Sequence, residues 1–203
     1  MGTPRHAARK LRDHLAKQQS EMVALLAALA GAESPSHEPQ AQVEVLRLLE
    51  SALTDRGFRT RRIAGHQTGG HLLAVPRSRK RGSLVQLLLG HCDTVWPRGT
   101  LQSMPIEERD GKLFGPGVYD MKAGLVQTIF AVGALSETAI DVSVAPVLLI
   151  NSDEEIGSPE STPHIRRLAR MANRAFVMEP SLGPTGQLKT ARKGVGRFTV
   201  RVI

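Results

Sequence analysis

The chain has 203 residues, the size of one ordinary domain, and its 41% hydrophobic and 23% charged residues are typical of a globular protein. Its 12 prolines and 19 glycines are near average usage, which excludes collagen-like and low-complexity classes. Apolar runs such as 142–150 are far shorter than the ~20 residues that cross a bilayer. Residues 1–20 are basic and lack the apolar centre of a secretory signal. We therefore expect a soluble, cytoplasmic protein.

The formal net charge is +8, from 27 Lys and Arg against 19 Asp and Glu. Such a charge is compatible with nucleic acid, a membrane surface or acidic substrates. Only 3% of the residues are aromatic, so a base-stacking surface is hard to build, and no zinc-finger, RNP or leucine-zipper pattern is present. The basic residues fall into scattered groups, at 5–17, 56–62, 77–81, 166–174 and 189–201. We interpret them as a solvated surface, with no nucleic-acid and no membrane partner.

Hydrophobic periodicity predicts the elements of the first half of the chain. Apolar residues at helical spacing predict a helix over 11–30 and a second over 39–56. Short strands are predicted over 58–63 and 71–75. The continuous aliphatic run 84–89 is typical of a strand that is buried on both faces.

The second half continues the alternation of strands and helices. The Pro- and Gly-rich segment 96–117 predicts a long loop with at most a short hairpin. Helices are predicted over 121–135 and 163–171, and strands over 142–150 (interrupted by Pro146), 175–178 and 193–203. This order predicts an α/β fold: a three-layer sandwich with a mostly parallel, mixed sheet and helices on both faces.

Polar side chains follow the predicted strands at the points where they end, which is where open α/β sheets bind ligands. One further acid, Asp120, follows a glycine-rich turn and precedes a helix. The candidate residues are His91, Asp93, Asp120, Glu154, Glu155 and Glu179. An imidazole with several carboxylates is a ligand set that suits zinc, cobalt or manganese.

Each of these signals also has an ordinary structural interpretation. Asp120 alone could cap a helix, and a lone histidine after a strand is more often hydrogen-bonded than a metal ligand. A role as metal ligand is more strongly indicated for His91, because Asp93 can accept a hydrogen bond from the imidazole and fix its tautomer. Glu154 and Glu155 could be solvated, yet two acids directly after an apolar strand repel each other unless a cation or a shared proton intervenes. Together, the motifs favour a metal site.

The segments 90–95, 115–122, 153–157 and 178–181 resemble the zinc-dependent metallopeptidase and aminoacylase family, peptidase family M-20 of clan MH. The resemblance covers nearly the whole chain. The sequence Asp-Thr-Val-Trp-Pro-Arg-Gly-Thr at 93–100 and the Gly-Pro-Gly before Asp120 most resemble the glutamate carboxypeptidase, or carboxypeptidase G, branch.

The resemblance implies a site for two zinc ions, with cobalt or manganese as possible substitutes. Its ligands would be His91, Asp120, Glu155 and Glu179. Asp120 would bridge the ions, with His91 and Glu179 on one ion and Glu155 on the other. The peptide bond that follows Asp120 is expected to be cis.

The resemblance also implies two catalytic residues that bind no metal. Glu154 would be the general base that activates the attacking water, and Asp93 would hold His91 by a hydrogen bond. The expected reaction is hydrolysis of an amide or peptide bond, releasing a C-terminal acidic amino acid from a small peptide or N-acyl amino acid substrate. Three alternatives stay open: an inactive fragment that binds metal only, an N-acyl-amino-acid deacylase of the same family, and a basic nucleic-acid-binding protein.

The family pattern further includes a second histidine ligand far downstream and a lid domain that supports dimerisation, and this sequence contains neither. We therefore expect the N-terminal part of a catalytic domain at 1–192, the first strand of a truncated lid domain at 193–203, and a homodimer for the full-length protein. The lone Cys92 excludes an internal disulfide and is expected to have no catalytic role. The remaining histidines with no partner pattern are interpreted as surface residues: His37, His66, His71 and His164.

Overall fold

The computed structural model describes residues 4–183, 185–187, 189, 191, 194, 196 and 198–202. Its helices within these residues are α1 (Pro4–Ala16), α2 (Gln19–Gly31), α3 (Gln42–Asp55), α4 (Ala123–Glu137) and α5 (Thr162–Met171). Its strands are β1 (Phe58–Ile63), β2 (His71–Pro76), β3 (Leu84–His91), β4 (Glu107–Arg109), β5 (Lys112–Phe114), β6 (Val144–Asn151) and β7 (Arg174–Val177).

The main sheet has the strand order β1-β2-β6-β3-β7. The strands β6, β3 and β7 run parallel to one another, whereas β2 is antiparallel to β6 and β1 is antiparallel to β2. The sheet is therefore mixed, with a parallel half whose carboxyl ends lie at one edge. The strands β4 and β5 form a separate antiparallel hairpin inside the predicted loop 96–117.

The hydrophobic core lies between the sheet and the helices α2, α3 and α4. Alternate residues of the strands face these helices because successive side chains of a strand point to opposite faces. Fully buried contributors include Leu29, Leu49, Leu72, Ile129 and Leu148. The helix α5 lies against the opposite face of the sheet, where it shares a cavity with strand residues such as Leu73 and Leu87. Helices therefore cover both faces, and the predicted three-layer α/β fold is confirmed.

The single helix predicted over 11–30 is wrong, because the chain forms two helices there. The amides of Lys17 and Gln18 donate to the carbonyls of His14 and Leu15, three residues earlier. Bonds of this spacing tighten the last turn and end α1, and α2 begins at Gln19.

Pro146 does not interrupt β6, although the sequence predicted that it would. On the β3 side, Pro146 lies opposite Gln86 in register. On the other side, the pairing with β2 covers Leu148–Ile150 in the described chain, so the missing N–H of Pro146 lies where β6 has one neighbour. Proline is tolerated at such edge positions.

The strand predicted over 193–203 falls partly on residues that the structure does not describe. The described residues of this segment are not assigned to a strand, and Phe198 and Val200 are 91% and 85% exposed. Among the described residues, no helix is long and apolar enough to cross a membrane.

Candidate active site

The site lies where the three parallel strands end. His91 is the last residue of β3 and Glu179 lies two residues after β7, while Glu154 and Glu155 lie in a short 3-10 turn after β6. Asp120 lies in the turn before α4. Parallel alignment of β6, β3 and β7 thus carries residues that are far apart in sequence to one edge of the sheet.

His91 is the buried centre of the site. Its Nε2 atom lies 3.2 Å from Asp120 Oδ1, 3.5 Å from Glu179 Oε1 and 3.9 Å from Glu154 Oε2. The imidazole is only 1% exposed, whereas Asp120 and Glu154 are 57% and 47% exposed. One imidazole nitrogen is therefore directed at three carboxylates, two of which face solvent.

Asp93 holds His91 and the turn after β6 in one arrangement. His91 Nδ1 lies 3.0 Å from the carbonyl oxygen of Asp93 and 3.3 Å from its carboxylate. The same carboxylate accepts hydrogen bonds from the backbone amides of Glu154 and Glu155, at 3.2 and 3.1 Å. Ser36 Oγ donates a further bond of 2.7 Å. Asp93 therefore fixes the orientation of the His91 ring and the backbone position of the two glutamates.

The turn that carries Asp120 depends on glycine and on a buried lysine. Gly117 has a φ of 68°, and a Cβ there would lie 2.6 Å from Thr94 Cγ2, so the turn requires glycine. Lys122 Nζ donates to the carbonyls of Leu29 and Ala32 at the end of α2. The peptide bond between Asp120 and the next residue is cis, as the resemblance implies.

The charges of the site alter its pKa values. Burial lowers the pKa of His91, but the hydrogen bond to Asp93 and the nearby carboxylates raise it to about 9. The pKa of Glu179 is raised to about 7, mainly by burial. The neighbouring His91 lowers this pKa, whereas Asp120 and Glu154 raise it further. Burial also raises the pKa of Glu155. For Asp93 burial is outweighed by the hydrogen bonds from His91 and Ser36, so its pKa is lowered.

These residues fit a divalent metal. Ligand atoms of His91, Asp120 and Glu179 all lie within 4.8 Å of one another. Carboxylates this close repel each other, and a cation between them would relieve that repulsion. One imidazole with carboxylate oxygens is a set that zinc accepts. Within the described residues, Glu155 does not join this group of three.

Sequence reasoning missed several residues that build the site. Gln42 is fully buried: its Nε2 donates to the carbonyl of Ser152 and its Oε1 accepts the amide of Gly69. Tyr119 donates from its hydroxyl to the carbonyl of Ser181, which joins the Asp120 turn to the loop after β7. No sequence pattern marks Gln42 as part of the site, because its hydrogen-bond partners Ser152 and Gly69 lie in distant loops.

Two residues named in the sequence analysis lie in the interior. Cys92 is fully buried in the core, and burial raises the pKa of its thiol, while its lack of a catalytic role stays a prediction. His71 is not a surface residue: it is 1% exposed, and its Nδ1 atom has no hydrogen-bond partner in the part of the chain that the structure describes. His71 begins β2, and its ring lies 5.8 Å from that of His164 on α5, a contact between distant segments that the sequence could not reveal.

Comparison with known families matches residues 87–198 to peptidase family M20/M25/M40. The chain belongs to peptidase family M20. The matched residues include every strand end that carries a candidate site residue. The family assignment from the sequence motifs is therefore confirmed.

Relatives of this M20 chain include a carboxypeptidase and a desuccinylase. Carboxypeptidase G2 of Pseudomonas sp. (strain RS-16) is 27% identical over 187 residues, which cover 91% of this chain and 45% of the relative. Succinyl-diaminopimelate desuccinylase of Delftia acidovorans is 33% identical over 188 residues, 83% of this chain and 47% of the relative. The chain spans less than half the length of these curated relatives.

Solved structures share the fold of the M20 chain. Human carnosine dipeptidase 1 superposes with a TM-score of 0.72 at 21% identity, over 86% of this chain and 41% of that chain. An M20 family metallo-carboxypeptidase from Sulfolobus solfataricus has a TM-score of 0.66 at 20% identity, over 82% of this chain and 39% of that chain.

Proposed function

We propose that this domain serves the metal-dependent hydrolysis of an amide or peptide bond, releasing a C-terminal acidic amino acid from an N-acyl or peptidyl substrate. The observation that carries the proposal is the convergence of Asp120, Glu179 and Glu154 on one nitrogen of His91. Membership of a peptidase family supports the reaction type. The carboxypeptidase G2 relative supports the release of a C-terminal residue, and the acidic nature of that residue rests on the resemblance of 93–100 to the glutamate carboxypeptidase branch.

The residues that would hold the metal are His91, Asp120 and Glu179, with Glu155 on a second ion. When bound, a divalent metal such as zinc would act as a Lewis acid that polarises the scissile carbonyl and makes water more acidic. Its identity and the number of ions belong to the proposal. Cobalt and manganese are the expected substitutes.

The side chains have separate parts in the proposed reaction. Asp93 accepts from His91 Nδ1, which leaves Nε2 free to face the ligand group. The carboxylate of Glu154 is 47% exposed and lies 3.9 Å from that Nε2. It would take a proton from the attacking water and return it to the leaving amine. Glu155 is the poorer base because it would be committed to a metal ion.

Two features of the larger protein are also proposed. Residues 1–192 would be part of the catalytic domain, and 193–203 would begin a lid domain. A homodimer and a cytoplasmic location remain predictions as well. A second histidine ligand for the Glu155 ion would have to lie outside the 203 residues.

The test combines hydrolysis with metal content. N-acyl-L-glutamate should be hydrolysed with release of glutamate, the activity should disappear with a chelator, and zinc should restore it. His91→Ala should lose zinc in elemental analysis, whereas His164→Ala, an imidazole outside the site, should keep it. Hydrolysis that is insensitive to the chelator, or equal zinc in the two variants, would refute the proposal. Zinc binding without hydrolysis of any substrate would favour the metal-binding fragment.

A second candidate, N-acyl-amino-acid deacylase, is favoured by the desuccinylase relative and by acetylornithine deacetylase of Pasteurella multocida, which is 34% identical over 163 residues. A substrate panel separates the two functions. Preference for acetyl or succinyl amides of basic amino acids over N-acyl-glutamate would select the deacylase.

A further inference from the structure

Three of the basic groups that are scattered along the sequence meet at one cavity. The cavity has a volume of about 180 Å³ and lies between α5 and the sheet face that is turned away from the core. Arg61 of β1, Arg79 of the loop after β2, and Arg167 and His164 of α5 line it. We call it the arginine cavity.

The floor of the arginine cavity is aliphatic. Leu73, Val75, Leu87 and Val147 line it from three neighbouring strands. The residues of the candidate metal centre do not line the cavity, and Val85 places it toward the amino end of β3, whereas His91 ends that strand. The two sites are therefore lined by different residues.

The guanidinium groups of the arginine cavity have no counter-charge in the described part of the chain. None of Arg61, Arg79 and Arg167 forms an ion pair there, and no described acidic residue lines the cavity. Arg79 Nε is buried and has no hydrogen-bond partner among the described residues, whereas Arg61 and Arg167 are exposed. A buried donor without an acceptor and a cluster of like charges are both unfavourable, and an anion would relieve both.

We propose that the arginine cavity binds a small carboxylate with an aliphatic tail. Planar guanidinium groups match a carboxylate, with which they form charge-assisted hydrogen bonds. The aliphatic floor would take the tail out of water. The volume is below that of sites for drug-sized molecules, which limits the ligand to a short chain. This proposal does not depend on the hydrolytic function.

The test uses octanoate as the probe and the 203-residue protein after treatment with a chelator, because carboxylates also bind zinc. Isothermal titration calorimetry should show that octanoate binds and that octanamide, its neutral analogue, binds about tenfold or more weakly. Arg79→Gln and Arg167→Gln should each weaken octanoate about tenfold, since each removes one charged partner.

Arg170→Gln is the matched control, because Arg170 is exposed on the same helix and does not line the cavity. It should bind octanoate as the parent protein does, and circular dichroism should show that all three variants are folded. Equal affinities for octanoate and octanamide, equal effects of Arg167→Gln and Arg170→Gln, or no binding of octanoate would overturn the proposal. Binding of inorganic phosphate or duplex DNA, but not octanoate, that the Arg79 variant weakens would overturn it in favour of a phosphate-binding surface.

Discussion

In the proposed reaction Glu154 is the general base and binds no metal, so its substitution distinguishes catalysis from metal binding. Glutamine has the same shape but cannot accept a proton at neutral pH, so Glu154→Gln should keep zinc and lower kcat by ~10²–10⁴-fold. Elemental analysis and initial rates on N-acyl-glutamate measure the two effects. Glu108→Gln, at an exposed position of β4, should change neither. Near-full turnover in Glu154→Gln would show that another group is the base.

His71 makes stability depend on pH. Burial lowers the pKa of His71 below its ordinary value of 6.5, and the smaller effect of Asp153 opposes this. Below pH 6.5 the unfolded chain binds a proton at this histidine more readily than the folded chain, so the free energy of unfolding falls as the pH falls. Above that pH the histidine is neutral in both states and contributes nothing.

His71→Gln should therefore lose less stability than the parent between about pH 7.5 and about pH 5. Urea unfolding at several pH values gives the two slopes, and every other titrating group is common to both proteins. His37→Gln, at an exposed position, should leave the slope of the parent unchanged. The same slope in His71→Gln as in the parent would show that His71 is not the acid-sensitive group.

Among the elements, α2 and the Asp120 turn are joined by one side chain. Lys122 is 1% exposed, and its Nζ donates to the carbonyls of Leu29 and Ala32 at 2.9 and 3.0 Å. These carbonyls lack helical partners because they lie at the end of α2. Burial lowers the pKa of Lys122 to about 8, against the smaller opposing effects of Cys92, Asp93 and Glu33.

Lys122→Met should lower the free energy of unfolding by about 1–3 kcal/mol, because it leaves buried carbonyls without donors. It should also weaken zinc binding, since Asp120 lies two residues away on the same turn. Urea unfolding and a zinc titration test both effects. Lys112→Met, at an exposed position of β5, should be neutral, and a Lys122 variant as stable as the Lys112 variant would contradict the proposed connection.

Elements with a strong local pattern could be predicted from the sequence. The strand over 58–63 has the predicted bounds, and β3 was recognised from its aliphatic run. The ends of such strands also located His91 and Glu179, because the parallel arrangement follows from alternating strands and helices. What could not be predicted depends on contacts between distant segments. Gln42 forms hydrogen bonds to the backbone of Ser152 and Gly69, which lie in two distant loops. The strand β6 accommodates Pro146 because its pairing with β2 begins only at Leu148.

For the molecule as a whole, acids and arginines gather at separate places on the sheet. The carboxyl ends of the parallel strands gather acids around His91, and the cavity beside α5 gathers arginines around an aliphatic floor. The net charge of +8 is therefore not spread evenly over the surface. Local fields of this kind draw anions toward the arginines and cations toward the acids.

The strand β7 is an exposed edge of the main sheet. All its residues are exposed, with Phe176 and Val177 at 48% and 55%, and β3 is its one partner in the described sheet. A groove of about 610 Å³ lies beside it, between β3, β7 and α4. Parallel strands are normally covered on both faces, and an exposed apolar edge promotes pairing with another chain.

We therefore expect the 203-residue chain to self-associate as its concentration rises, and Val177→Lys to reduce this, because a charged edge residue opposes strand pairing. Light scattering over a concentration series measures the effect. Val43→Lys adds the same charge at a helix position that is 51% exposed, and it should leave self-association unchanged. If Val43→Lys reduced association as much as Val177→Lys, net charge rather than the β7 edge would be the cause, since the two variants differ in the location of the lysine alone.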